Sequence, residues 1–346
     1  MLRLLAILSI YSALVLSCSS TDWFNEPQSV AFEPDTTGIN PLSRYVVVIG
    51  DIQEYTMRPD DYMTYFRESM DWLVIQQSFF NNIDAVIQVG DITNDNESWQ
   101  WSNAMLAMRP VAKAMPFIAV TGNHDYDWLR KSGDSYSYIT DRNSTLFDNY
   151  EPDIHKAMKV VDRFEAGSRQ NAIYSLPLGS RVSLIIALEF APRPEVLEWA
   201  DRHISANKST DCYIVTHEWL DTKGELVTDE QCYAYRQFGT ASRASSPSVV
   251  WETLVYPHDN VIAVLCGHNG FVAHRLTPNS AARYVPQILF NLQYQENGGD
   301  SMLQFWEMPQ GTDSVHTYVY NTRSHERIDE PYANFSFSRS RGAAQQ

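Results

Sequence analysis

The chain has 346 residues, 44% of them hydrophobic and 12% aromatic, enough to bury a core as one large domain or two small ones. A formal net charge of −16 argues against nucleic acid as a partner, because such binding needs a basic surface that displaces counterions from phosphates. The same acidic excess suits bound cations.

The chain opens MLRLLAILSIYSALVLSC, in which Arg3 precedes an apolar stretch at 4–16 and then Ser17 and Cys18. This is the pattern of a secretory signal over residues 1–17, too short to span a bilayer comfortably, and the mature chain is expected outside the cytoplasm. Val15-Leu16-Ser17-Cys18 resembles the bacterial lipobox, where the cut falls before a cysteine that is then lipidated. Lipidated Cys18 would make the chain a lipoprotein of the bacterial cell envelope, each buried methylene contributing about 0.8 kcal/mol to the membrane anchor. The alternative is an ordinary exported protein with an incidental Cys18 near the cut. Residues 18–43, rich in Ser, Thr, Asp and Pro, read as the lipidated N-terminus and a flexible tether. Residues 323–346 read as a polar tail, which leaves 44–322 for the folded domain.

Within that domain, short apolar runs recur and stop at polar clusters. YVVVIGD ends at Asp51, DAVIQVGD at Asp91, PFIAVTGNHD at Asn123-His124-Asp125, CYIVTHE at His217-Glu218 and VIAVLCGH at His268. Continuous Val/Ile runs of this length suit strands buried on both faces, and helical patterns at 61–80 and 195–206 lie between them, so the fold class is α/β. Cys212 and Cys266 sit inside such runs and Cys232 outside them; buried free thiols are the default, with one disulfide open.

In α/β sheets, residues just past the carboxyl ends of the strands gather in one crevice. Asp51, Gln53, Asp91, Asn123, His124, His217 and His268 are therefore expected to converge from five strands. One such residue alone would read as a turn or helix cap. Carboxylate, amide and imidazole donors without thiolates suit Mn, Fe or Zn ions rather than a cysteine-rich structural zinc site, and the imidazoles argue against an all-oxygen calcium cage. HEWLD at 217–221 lacks the second histidine of the HExxH zinc-protease motif.

The ordered motifs GDIQ (50–53), VGDIT (89–93), GNHD (122–125), THE (216–218) and GH (267–268) resemble the calcineurin-like metallophosphoesterase superfamily over roughly 44–320. LEFAPRPEVLEWA (188–200) and QILFNLQYQENGGD (287–300) further resemble an exported bacterial branch of it. The resemblance implies a two-layer β-sandwich flanked by α-helices and a pair of divalent or trivalent metal ions. It places Asp51 and Gln53 on a first metal, Asp91 between both, and Asn123, His217 and His268 on the second. It makes His124 the general acid, with Asp125 either orienting that imidazole or capping the following turn.

Two positions depart from the superfamily pattern. Gln53 stands where histidine is more usual, and GHNG at 267–270 replaces Gly-His-x-His, so the imidazole that would complete the first metal is absent at Gly270. One metal is then expected to bind tightly and the other weakly, with His274 a candidate substitute ligand. Glu189 is open to an orienting or a salt-bridge role, and Asn94 to a substrate-facing or a turn role. The function implied is metal-dependent hydrolysis of a small phosphomonoester or phosphodiester. The alternative is a surface-anchored binding protein on a decayed phosphoesterase scaffold.

Overall fold

The computed structural model describes residues 34–130, 137–139, 141–150, 152–238, 243–329 and 332–341. The signal segment, Cys18 and the first part of the tether lie outside the described residues. Among the described residues, no helix is long and apolar enough to cross a membrane.

The apolar runs form strands that assemble two large sheets. In the first, β1 (Ser43–Ile49), β2 (Ile83–Gln88) and β3 (Phe117–Ala119) run parallel. β13 (Met302–Pro309) and β14 (Ser314–Asn321) continue it antiparallel on the far side of β1, and β15 (Glu326–Ile328) and β16 (Phe335–Ser338) share the outer edge of β14. The second sheet has the order β11-β12-β10-β9-β8-β7-β6. Its parallel centre is β8 (Arg181–Ala187), β9 (Asp211–Val215), β10 (Val261–Cys266) and β12 (Tyr284–Phe290). β6 (Lys159–Arg163), β7 (Ala172–Leu178) and β11 (Val272–Pro278) are its antiparallel margins. A small hairpin, β4 (Trp128–Arg130) with β5 (Ser137–Ile139), stands apart.

The layers follow from what each strand face must bury. Val46, Val48, Ala85 and Ile87 of the first sheet meet Tyr174, Ile185, Val215 and Leu265 of the second in the central core. The opposite face of the first sheet, including Val47 and Val86, packs under the helices Met63–Phe80 and Ser98–Ala114. Ile186, Ile214 and Val264 on the outer face of the second sheet pack under the helix Pro194–Ala206. Burial of each such side chain contributes about 1.5–3 kcal/mol, which explains why these strands carry continuous rather than alternating apolar sequence. The result is the expected two-layer β-sandwich flanked by α-helices.

Local signals fix the helix ends: Pro194 opens Pro194–Ala206, and Asn81 closes Met63–Phe80 with a left-handed backbone, φ 48°. Cys212, Cys232 and Cys266 are free and buried.

The packed unit extends beyond 44 and 322 at both ends. Ile39 is fully buried, and Asp35 accepts hydrogen bonds from Trp72 Nε1 at 3.2 Å and from the Tyr320 hydroxyl. Past residue 322, β15 and β16 join the first sheet, Arg339 is buried and donates to the Leu178 carbonyl at 2.8 Å, and Arg341 pairs with Asp211 at 2.6 Å.

Candidate metal centre

All five expected strand ends deliver their polar residues to one place, because β1, β2, β3, β9 and β10 present carboxyl ends at the same edge of the sandwich. Two donor groups result, sharing Asp91. In the first, Asp91, His217 and His268 bring one ligating atom each within 4.8 Å of one another. The Asn123 carboxamide oxygen lies 2.8 Å from His268 Nδ1 and 3.2 Å from His217 Nε2, and Asp91 Oδ1 lies 3.2 Å from His217 Nε2. His217 Nδ1 faces the Val89 carbonyl at 2.8 Å and donates to it, which turns Nε2 toward this cluster.

Asp51 and Gln53 lie on the other side of Asp91. The Gln53 amide donates to Asp91 Oδ2 at 3.1 Å, while its own oxygen is buried with no hydrogen-bond partner among the described residues. A buried orphan acceptor costs about 1–3 kcal/mol, and a cation satisfies it. Burial pushes the Asp51 carboxyl well above the usual range; His217 opposes this, while Asp91 and Asp125 reinforce it. Burial lowers His217, but Asp91 and Asp51 prevail and raise it to about 10. His268, facing His217, is pushed down to about 3 by burial and by that neighbour. The carboxylates thus draw positive charge to a point where oxygen and nitrogen lone pairs face one another, and the donor set fits metal ions.

The backbone is shaped around these contacts. Asp91 and His268 adopt left-handed conformations, φ 53° and 71°. A Cβ at Gly122 would collide with the Asp91 carboxylate, and one at Gly267 with that of Asp51, so both motif glycines are required by close approach.

Asn291 and Gln293 were not singled out in the sequence, yet they hold Asp51 Oδ2 through their side-chain amides at 2.5 and 3.3 Å. Asn291 follows β12 as Asp51 follows β1, so the strand-end pattern that picked out the other residues applied to it as well. The His268 N–H also donates to Asp51 Oδ2, at 3.1 Å.

His124 is half-buried at the rim; its N–H donates to Asp91 Oδ1 at 2.9 Å and its Nδ1 to the Asn94 carbonyl at 2.8 Å. The expected orienting role of Asp125 is not what the contacts show. Its carboxylate instead accepts the N–H groups of Ile92, Thr93 and Gly122 at 3.2, 2.8 and 2.9 Å and the Thr93 hydroxyl at 3.0 Å, tying the GNHD turn to the GDIT turn. Asn94 contributes its backbone carbonyl, while its side chain turns to Asp95. Glu189 takes the salt-bridge role, with Arg193 Nε at 2.8 Å and Arg142 Nη1 at 3.4 Å. His274 is no substitute ligand: its ring stacks on Phe335 at 3.9 Å and its Nδ1 faces the Tyr332 carbonyl at 3.1 Å. The space beside Gly270 is filled by the Tyr294 ring, with which any Cβ at 270 would collide.

The chain belongs to the calcineurin-like phosphoesterase family, which matches residues 44–272. Among curated relatives, it is 22% identical over 287 residues to the uncharacterized protein YvnB of Bacillus subtilis, covering 80% of this chain and 20% of YvnB. It is 30% identical over 96 residues to the probable inactive purple acid phosphatase 27 of Arabidopsis thaliana, covering 26% of this chain and 15% of that protein. The chain therefore spans about a fifth or less of these relatives' length. The fold is shared with the purple acid phosphatase PPD1 of yellow lupin (TM-score 0.50, 13% identity, 86% of this chain and 54% of that one). It is also shared with a dimetal phosphatase of Danio rerio (TM-score 0.50, 13% identity, 87% and 100%).

The contacts of Asp125 separate two roles by experiment. Asp125→Ala orphans three backbone donors and is expected to cost about 3 kcal/mol or more in urea unfolding. An unchanged unfolding midpoint combined with lost turnover would instead assign Asp125 to His124.

Proposed function

We propose that this chain is a metal-dependent phosphoesterase that hydrolyses small phosphomonoesters or phosphodiesters. The convergence of Asp91, Asn123, His217 and His268 on one point, beside the unpartnered oxygen of Gln53, carries this reading. Metal ions bound there supply Lewis-acid activation of water and of the phosphoryl group.

The protein's own residues supply orientation and the proton. Asn94 fixes the Nδ1–H of His124, so the proton delivered to the departing alkoxide is the one on Nε2. Packing of the imidazole against Trp128, with ring centroids 4.3 Å apart, holds it at the rim where the ester oxygen departs. His217 is held by Val89, and Asp51 by Asn291 and Gln293, so the donors keep their positions without rearrangement during the reaction. The acid His124 together with a full donor set for one ion supports catalysis over a purely binding role.

The two metal positions are unequal in this reading. Asp91, Asn123, His217 and His268 form a full set for one ion. The Asp51 side lacks an imidazole, and Asp51 Oδ2 is already shared among three N–H donors. Mn, Fe and Zn all suit these donors. The purified protein is expected to carry closer to one metal per chain than two, to lose turnover with a chelator and to regain it with Mn²⁺. His124→Ala should slow hydrolysis of alkyl phosphates by about 10²-fold. A rate indifferent to chelation would remove the metal mechanism, and full activity of His124→Ala would remove the acid assignment.

The sequence pattern at 1–18 supports action outside the cytoplasm, with Cys18 lipidated and the domain held at a bacterial membrane surface. Cys18→Ser is expected to move the protein from the membrane fraction to a soluble or unprocessed form. An intact mass lacking acyl groups would contradict the anchor.

A further inference from the structure

Two aromatic rings from separate segments lie against imidazoles of the site, and a third lies against the GHNG turn that carries His268. Trp128 packs on His124 with centroids 4.3 Å apart, and Tyr233 lies 5.1 Å from His268 at an interplanar angle of 43°. Tyr294, on the loop between β12 and β13, lies against Gly270. Tyr233 is pinned in place because the buried Glu218 carboxylate, next to His217, accepts its N–H at 2.8 Å and that of Ala234 at 3.3 Å. Tyr294 is 75% exposed, although its ring occupies the space next to the GHNG turn.

A large ring left open to water beside a cluster of charged groups gains little from its position unless something stacks on it. Flat rings bind flat partners: stacking on an aromatic side chain is sequence-tolerant and contributes about 1–3 kcal/mol for a planar base. Gly270 has two consequences here, since the missing side chain removes a donor from the Asp51 side and admits the Tyr294 ring beside the GHNG turn.

We propose that Trp128, Tyr233 and Tyr294 form a collar that selects phosphoesters carrying a planar aromatic group, with Tyr294 the specificity-determining residue. The inference rests on the phosphoesterase reading and names the substrate class for the same site. Aryl phosphates and nucleotides share the required chemistry.

The test uses the Mn²⁺-loaded protein and phosphonates, which bind without turning over, so the intrinsic lability of aryl leaving groups does not enter. Phenylphosphonate should bind more tightly than propylphosphonate by calorimetry. Tyr294→Ala should weaken phenylphosphonate about tenfold and propylphosphonate less than about twofold, while Tyr294→Phe keeps the preference. Melting curves confirm that the variants fold, as expected for so exposed a side chain. Adenosine 5′-monophosphate against ribose 5-phosphate separates the sources: a preference for the nucleotide that is lost in Tyr294→Ala indicates a nucleobase, and one confined to phenylphosphonate an aryl ester. Equal affinity for the two phosphonates, equal loss of both in Tyr294→Ala, or binding of neither would overturn the collar. Selective phenylphosphonate binding without hydrolysis of any phosphoester would overturn the phosphoesterase reading and leave the collar standing.

Discussion

The structure depends on four metal-donor side chains, three of them buried, being held face to face at one edge of the sandwich. Asn123 Oδ1 lies 2.8 Å from His268 Nδ1 and 3.2 Å from His217 Nε2, and His217 Nε2 lies 3.3 Å from His268 Nδ1 and 3.2 Å from Asp91 Oδ1; the side chains of Asp91, Asn123 and His217 are buried and that of His268 is half-buried. The carboxylates draw positive charge to this point, a proton on His217 or a metal ion, and low dielectric magnifies that attraction. The fold holds them there because both sheets of the sandwich end their parallel strands at one edge. β1, β2 and β3 bring Asp51, Asp91 and Asn123 from one sheet, and β9 and β10 bring His217 and His268 from the other. The central apolar core between the sheets thereby fixes the distance between the carboxylate half and the imidazole half of the site.

Local cost is concentrated at the same edge. Left-handed backbone at Asp91 and His268 costs on the order of 1–3 kcal/mol each and is offset by the contacts it permits. Glycines at 122 and 267 let the neighbouring turns approach the carboxylates, and Asp125 satisfies the N–H groups that this packing would otherwise strand. Asp125 thus supports the geometry of the turns, and the Asn94 carbonyl supports that of the acid.

Much of this was legible in the sequence, for a specific reason. Strands buried on both faces read as unbroken apolar runs, and where a run breaks the chain has reached the edge of the sheet. Asp51, Gln53, Asp91, Asn123, His124, His217 and His268 all stand at such breaks, and the structure brings them together. Asn291 stands at a similar break after QILF, but an amide at a strand end reads equally as a turn residue. The role of Asp125 was not legible, because a carboxylate beside a histidine and one facing three backbone N–H groups look alike in one dimension. His274 is close to GHNG in sequence, but β11 carries it away along the sheet toward Phe335. The ends of the packed unit were hidden by composition: Asp35, Arg339 and Arg341 are polar, yet they are held by partners 285, 161 and 130 residues away in sequence.

Anomalous X-ray scattering from crystals of the protein grown with Mn²⁺ tests the central claim most directly. The account predicts a strong peak among Asp91, Asn123, His217 and His268 and a weaker one among Asp51, Gln53 and Asp91. Crystals with no peak at this edge of the sandwich, or with manganese bound only by acidic groups elsewhere on the surface, would contradict it.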